Sequence, residues 1–294
     1  MAEPITVAAR RASIVESRHI AHAVAVREGA VVAEAGDGGL LAYLRSSAKP
    51  IQALPLARTR PDLEDRELAI ACASHLADPQ QVGAVRSLLA KAPAQEDELE
   101  CGPEGSPPEP IRHNCSGKHA GFLALCRARG WDSRSYRLPD HPLQRAMLEE
   151  VASAAGMSES EMRTAVDGCG VITYALPLER MAYAFSRFAD LDAGPRVGAA
   201  MRAHPQLIRG PGAADTVLME TLPGWIAKGG AEGLVCAAGP DGTGVALKVE
   251  DGAARAVGPA VAEFLARLDH PLTALEVDRI VNSRGEIVGE IRAE

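Results

Sequence analysis

The chain has 294 residues, 47% of them hydrophobic, which is ample for a packed core. A net charge of −8, with no basic run to neutralise phosphates, argues against nucleic acid as a partner, and an aromatic share of 3% leaves little for base stacking. No stretch approaches the roughly 20 apolar residues of a spanning helix, and "MAEPITVAARRASIVESRH" lacks the apolar middle of a signal peptide, so a cytoplasmic protein with no membrane partner is expected. Six cysteines scattered through a chain of this size do not form a dense disulfide scaffold; metal or redox chemistry is the alternative they leave open.

The elements follow in order. "HIAHAVAVREGAVVAEAGD" alternates small apolar residues around "REG", which predicts a β-hairpin turning near Glu28 and Gly29. "SSAKPIQALPLART" carries helix-start signals, with serines ahead of an apolar run and a proline in the first turn, where a missing N–H costs little. "ELAIACASH" reads as a short buried strand or a helix end, and "PQQVGAVRSLLAKA" as an amphipathic helix. Residues 101–112, "CGPEGSPPEPIR", hold too much Gly and Pro for regular structure. They lead into "HNCSGKHAGFLALCRARG", a turn feeding a helix that ends at Gly130. Helices are expected at "LQRAMLEEVASAAG" and "LERMAYAFSRFAD", with the glycine-flanked loop "VDGCGVITYALP" between them. "GWIAKGGAEGLVCAAGPDGTGVALKVEDG" alternates again and turns at "PDG"; a helix at "AVAEFLARL" and a hairpin around "NSRGE" finish the pattern. Sheet at both ends with helices between predicts an α+β fold. Its terminal strands form an antiparallel sheet and a helical region covers roughly 75–220, all within one domain over 1–294.

Ser46 and Lys49 stand three apart at the expected helix start, which puts them one turn apart on one face. A serine becomes a nucleophile when a neighbour takes its proton, and lysine does this only as a neutral amine, after burial or a nearby positive charge lowers its pKa. A serine cap beside a solvated lysine gives the same letters. Ser74 in "CASH" and Lys228 in "AKGG", on a late strand where glycine lets a ligand approach the backbone, supply a second serine and a second lysine. This combination follows the logic of serine–lysine acyl-transfer enzymes such as the β-lactamases, although the strand reads Lys-Gly-Gly rather than Lys-Thr-Gly and no Ser-Asp-Asn is present. "HNCSGKH", with Cys115, Lys118 and His119, and "DGCG", with Asp167 and Cys169, place two thiols in glycine-containing loops. Three readings stand: a soft metal such as zinc, a thiolate nucleophile at Cys115 beside His113 or His119, and a pair of small buried cysteines.

"RSSAKPIQALPL", "CASH", "HNCSGKHAGFLALC", "LPDHPLQ", "DGCGVITYALPLERMAYAF", "AKGGAEG" and "GVALKVEDG", taken together and in this order, resemble the L-asparaginase II family, the Rhizobium etli type of bacterial asparaginase. The resemblance covers nearly the whole chain. It implies a fold like that of serine β-lactamases and glutaminases, a homodimer, and hydrolysis of L-asparagine to L-aspartate and ammonia. It also implies two catalytic serine–lysine pairs, Ser46 with Lys49 and Ser74 with Lys228, and substrate contacts from Arg45, His75, Asn114 and Asp167. One zinc ion per chain would be held by Cys115, Lys118 and Cys169, and lysine ligates only when neutral, so metal binding must displace its proton. The expected chemistry is a two-step acyl transfer, with Ser46 acylated and Ser74 relaying the proton. "LADPQ" after "CASH", and Ile172 where proline is common, depart from the family pattern in ways that bear on substrate preference and dimer contacts. The rival readings are a glutaminase or β-lactamase-like serine hydrolase and, from another class, a catalytically silent amino-acid-binding protein on the same fold.

Overall fold

The computed structural model describes residues 2–294, among which eleven strands run in chain order. They are β1 (Ile5–Arg11), β2 (Ile14–Arg27), β3 (Ala30–Ala35), β4 (Leu41–Tyr43), β5 (Arg163–Val166), β6 (Ile172–Pro177), β7 (Ile226–Gly230), β8 (Leu234–Ala238), β9 (Gly244–Val249), β10 (Val277–Val281) and β11 (Ile287–Ala293). Helices and antiparallel sheet together give the expected α+β class.

The chain divides into two compact units. The first takes the residues up to Ala42, Leu176–Ser186 and Gly212–Glu294. Its frame is an antiparallel sheet in the order β10-β11-β1-β2-β9-β8-β7, with β3 also paired to β2. The terminal strands meet as expected, Val7 standing opposite Ala293. The "REG" hairpin turns at Glu28 and Gly29, whose φ values of 52° and 78° are the left-handed pair that a two-residue turn of type I′ requires. Helix Leu178–Ser186 lies on β2 and β9. It comes so close that a Cβ on Gly244 would stand 2.0 Å from Ala182 O, so only glycine fits that point of β9. Helix Val257–Ala266 covers β1 and β11, burying Val261, Phe264 and Leu265 completely, each worth about 1.5–3 kcal/mol of transfer free energy.

The second unit, Tyr43–Ala175 with Arg187–Pro211, is mainly helical. Helix Asp65–Ala71 is packed against helices Pro79–Lys91, Ser116–Arg129 and Gly194–Ala203. It starts at a capping box between Glu64 and Glu67, so "ELAIA" is helix and "CASH" its irregular exit. Gly117 permits a close approach of helix Ser116–Arg129, since a Cβ there would stand 2.1 Å from Ile70 O. Gly130 and Gly156 end helices Ser116–Arg129 and Pro142–Ala155 in the left-handed conformation.

Two local expectations are corrected. "SSAKPIQALPLART" is a 3₁₀ turn, Arg45–Ala48, followed by two short helices, Lys49–Gln52 and Leu54–Thr59, and neither serine caps them. The turn already begins at Leu44, whose carbonyl accepts from Ser47 N, so the serines lie inside the first turn rather than in front of it. "VDGCGVITYALP" is loop only in its first half; Ile172–Pro177 is strand β6, paired with β5 and buried over most of its length, which removes the alternation that marks a half-buried strand. Helices Gly194–Ala203, rich in Ala and Gly, and Ala214–Thr221 have no counterpart among the elements expected from the sequence. No helix among the described residues is long and apolar enough to cross a membrane.

Candidate active site

Lys49 opens its short helix with a side chain 1% exposed, and its Nζ donates to Ala73 O (2.6 Å) and Ser74 Oγ (2.9 Å). Burial drives this lysine below its ordinary range; the Cys115 charge opposes the fall and that of Lys118 reinforces it. Ser46, one turn earlier, is half-buried, whereas Ser47 is fully buried and Ser74 is 6% exposed. Of the three hydroxyls, Ser46 is the one open to solvent.

Arg45, immediately before Ser46, adopts φ 47°, a left-handed conformation that costs a non-glycine residue on the order of 1–2 kcal/mol. It is clamped there: Arg45 N donates to Thr173 Oγ1 (3.1 Å) and Arg45 Nε to Asp167 Oδ1 (2.7 Å). Leu44 N bonds Tyr174 O at 2.7 Å, so β6 fixes both residues that lead into Ser46. Thr173 was missing from the sequence candidates, and its only signal is a hydroxyl in an otherwise apolar run.

Ser74 N donates to Ile208 O (2.7 Å), and Ser74 O accepts from Arg209 Nη1 (2.8 Å). His75 Nδ1 accepts from Ala77 N (3.1 Å), so Nε2 carries the proton and donates to Ser116 Oγ (2.8 Å), which in turn donates to Ile111 O (2.8 Å). Burial, then the charge of Lys49, pulls the His75 pKa down to about 4, and the ring is neutral. Asn114 O accepts from His75 N (3.1 Å), while Asn114 N and Nδ2 both donate to Glu104 Oε2.

The two thiol loops converge. Cys115 precedes helix Ser116–Arg129, Lys118 Nζ donates to Cys169 Sγ (3.1 Å), and the two cysteines share a hydrogen bond. That bond from Cys169 holds Cys115 well below the ordinary thiol range, helped against burial by Lys49 and Lys118; the same bond, with burial, pushes Cys169 up. Burial alone would lower Lys118, but Cys169, Cys115 and Asp167 outweigh it and hold the ammonium above its ordinary range. The loop stays closed through Asp167 N to Val171 O (2.8 Å) and Gly170 N to Asp167 O (2.9 Å). His119 receives the Tyr136 hydroxyl proton on Nδ1 (2.8 Å), because Tyr136 already accepts from Glu100 N; its Nε2 has no partner among the described residues. Among those residues no three His, Cys, Asp or Glu side chains gather in a metal-holding cluster, and the third donor here is a lysine. Two sulfurs and one nitrogen suit a borderline-soft ion such as zinc with an open fourth position, provided Lys118 gives up its proton.

Lys228 belongs to the first unit, on β7 as the sequence implied. It is fully buried, donates to Gly229 O (2.7 Å) and lies 3.6 Å from Asp215 Oδ2, which also accepts from Gly229 N (2.9 Å). Asp215 was not among the candidates, and its burial gives Lys228 a counter-charge. The other ten candidates lie in the second unit, where the lysine of the first expected pair bonds the serine of the second.

The model of the family described as L-asparaginase II matches residues 7–293. No curated protein sequence matches. Similar solved structures include a candidate β-lactamase from Bacteroides dorei, 14% identical over 84% of this chain and 93% of that one, with a TM-score of 0.44. A β-lactamase from Mycobacterium bovis is 15% identical over 79% of this chain and 87% of that one (TM-score 0.35). Simvastatin synthase from Aspergillus terreus is 13% identical over 85% of this chain and 88% of that one (TM-score 0.34).

Proposed function

The chain belongs to the L-asparaginase II family and is an amidohydrolase; we propose that it hydrolyses L-asparagine to L-aspartate and ammonia through an acyl-enzyme on Ser46. The observation that carries this reading is Lys49, buried, lowered in pKa and bonded to Ser74 Oγ at 2.9 Å. As the neutral amine it accepts the Ser46 proton while Ser46 Oγ bonds to the side-chain amide carbon. Through Ser74 the proton reaches the amide nitrogen, the C–N bond breaks, and ammonia leaves. Water then attacks the ester, with Lys49 taking its proton, and Ser46 leaves with its oxygen re-protonated. Ser46 suits the nucleophile by its exposure, and Ser74 the relay by its burial.

Cys115 Sγ, Lys118 Nζ and Cys169 Sγ would hold zinc, which when bound would supply a Lewis acid to orient the substrate's carboxylate and its α-amino group in the deprotonated form. Asp167 holds Arg45, and Asn114 and His75 brace the segment that carries Ser74. Lys228 is kept as the second lysine that the resemblance implies, and a cytoplasmic homodimer belongs to the same reading.

Ammonia release from L-asparagine and L-glutamine, with and without added zinc and a chelator, tests the proposal, alongside nitrocefin hydrolysis. Turnover of nitrocefin with no ammonia from asparagine would replace it with the β-lactamase reading; aspartate binding without ammonia release would favour the silent binding protein.

A further inference from the structure

Four cations bond to Ser74 or to the thiol loops, and their partners differ. Arg45 Nε meets the Asp167 carboxylate at 2.7 Å. Lys118 donates to Cys169 at 3.1 Å, and Lys49 bonds Ser74 beside Cys115. Arg209 makes one side-chain hydrogen bond, Nη1 to Ser74 O at 2.8 Å, and no ion pair among the described residues.

Its place is well defined. Fully buried Gln81 donates to Gln206 O (3.1 Å) and Arg209 O (3.0 Å) and accepts from Leu76 N (2.8 Å) and Asp78 N (3.2 Å). Ser74 N donates to Ile208 O, so the segment bearing Arg209 and the one bearing Ser74 are stitched together on both sides. A guanidinium has five N–H donors in a rigid fork, and the contact with Ser74 O uses one. A half-buried, fixed guanidinium with no anion is completed by a carboxylate, which can take two parallel hydrogen bonds from it.

We propose that Arg209 binds the α-carboxylate of the amino-acid substrate and so restricts this amidohydrolase to free amino acids. The proposal rests on the amino-acid amidase reading above and deepens it. Arg45, whose charge Asp167 already meets, is then a positioning residue for the turn into Ser46 and not the carboxylate anchor.

The test compares L-asparagine with β-alaninamide, which keeps the reacting amide and lacks the α-carboxylate, in the wild type, Arg209→Gln and Arg209→Lys. In the wild type kcat/KM falls on the order of 10- to 100-fold from asparagine to β-alaninamide, the range of one charged hydrogen-bonded contact. In Arg209→Gln most of that preference disappears, through KM for asparagine with kcat little changed, and Arg209→Lys recovers part of it. A purely structural role for the bond to Ser74 O would lower both substrates equally, and that outcome overturns the proposal. Calorimetric titration with L-aspartate supplies an arm free of turnover, with melting curves to confirm that the variants fold. Absence of ammonia release from wild type with asparagine sinks the function reading, and Arg209 is then judged on the titration. Aspartate binding weakened by the substitution upholds the carboxylate site; binding that is absent in the wild type or unchanged in the variant overturns it.

Discussion

Lys49 Nζ donates to Ser74 Oγ at 2.9 Å, across 25 residues of chain, so the lysine one turn after Ser46 reaches a serine on another segment. In the proposed mechanism this bond makes Ser74 a station for the proton. Ser46→Ala and Lys49→Ala should each lower kcat by about 10³-fold or more, whereas Ser74→Ala, losing the relay alone, should fall by about 10²-fold. Mass spectrometry of the quenched reaction should place the acyl group on Ser46 in the Ser74→Ala protein. Acylation elsewhere in the chain would dismiss Ser46 as nucleophile.

The acid limb of the pH–rate profile follows from Lys49. Its pKa is lowered by burial, and only the neutral amine accepts a proton, so kcat/KM should rise with pH through the lowered Lys49 value and level off well below the ordinary lysine range. In Lys49→Arg, whose guanidinium stays charged, the limb should vanish with the activity. A profile flat from the acid side into neutral pH would contradict this.

His75 makes a prediction about stability instead. Its pKa falls from 6.5 to about 4 on folding, so between those values the unfolded chain takes up a proton that the folded one refuses. The stability present above pH 6.5 is therefore lost as pH drops toward 4, to a limit of roughly 3 kcal/mol at about 1.36 kcal/mol per unit. His119, also lowered by burial, acts in the same direction. Urea unfolding across this window should show a shallower slope in His75→Gln than in wild type, with the His119 share remaining.

Cys115 and Cys169 should both matter for metal content. Elemental analysis of the purified protein should find zinc near one equivalent, and a Cys115→Ala, Cys169→Ala double variant should lose it, because Lys118 then has no thiolate beside it. Equal content in both proteins, or none in either, removes zinc from the mechanism.

Gly117→Ala would set a Cβ 2.1 Å from Ile70 O, and backbone must move to admit it. A loss of about 1–3 kcal/mol or more is expected, seen as a lowered Tm. Gly168→Ala is the control, since nothing lies within 4 Å of its added carbon. If the two variants melt alike, helix Ser116–Arg129 does not pack as described.

What could be read beforehand was what local chemistry decides. Glu28-Gly29 between alternating residues could be little but a tight hairpin, and Gly130 and Gly156 mark helix ends because they take the left-handed conformation cheaply. The serines of "RSSAKP" misled as caps because Leu44, held from Tyr174, starts the turn two residues early. Strand β6 was hidden because burial removes its alternation. Thr173, Arg209 and Asp215 act on partners 128, 135 and 14 residues away, and no periodicity reports such meetings. The reactive letters themselves were legible; the bond from Lys49 to Ser74, across 25 residues of chain, was not.

The partnership of β1 with β11 sets a timetable for synthesis. Val7 and its partner Ala293 lie far apart in the chain, and every residue of the helical unit is made between them. Until β11 is made the nascent chain must therefore carry β1 with an unpaired edge, and such edges invite pairing with other chains. Closure of the sheet waits for β11, so the yield of folded protein should depend on how crowded the nascent chains are more than on how fast the helices form.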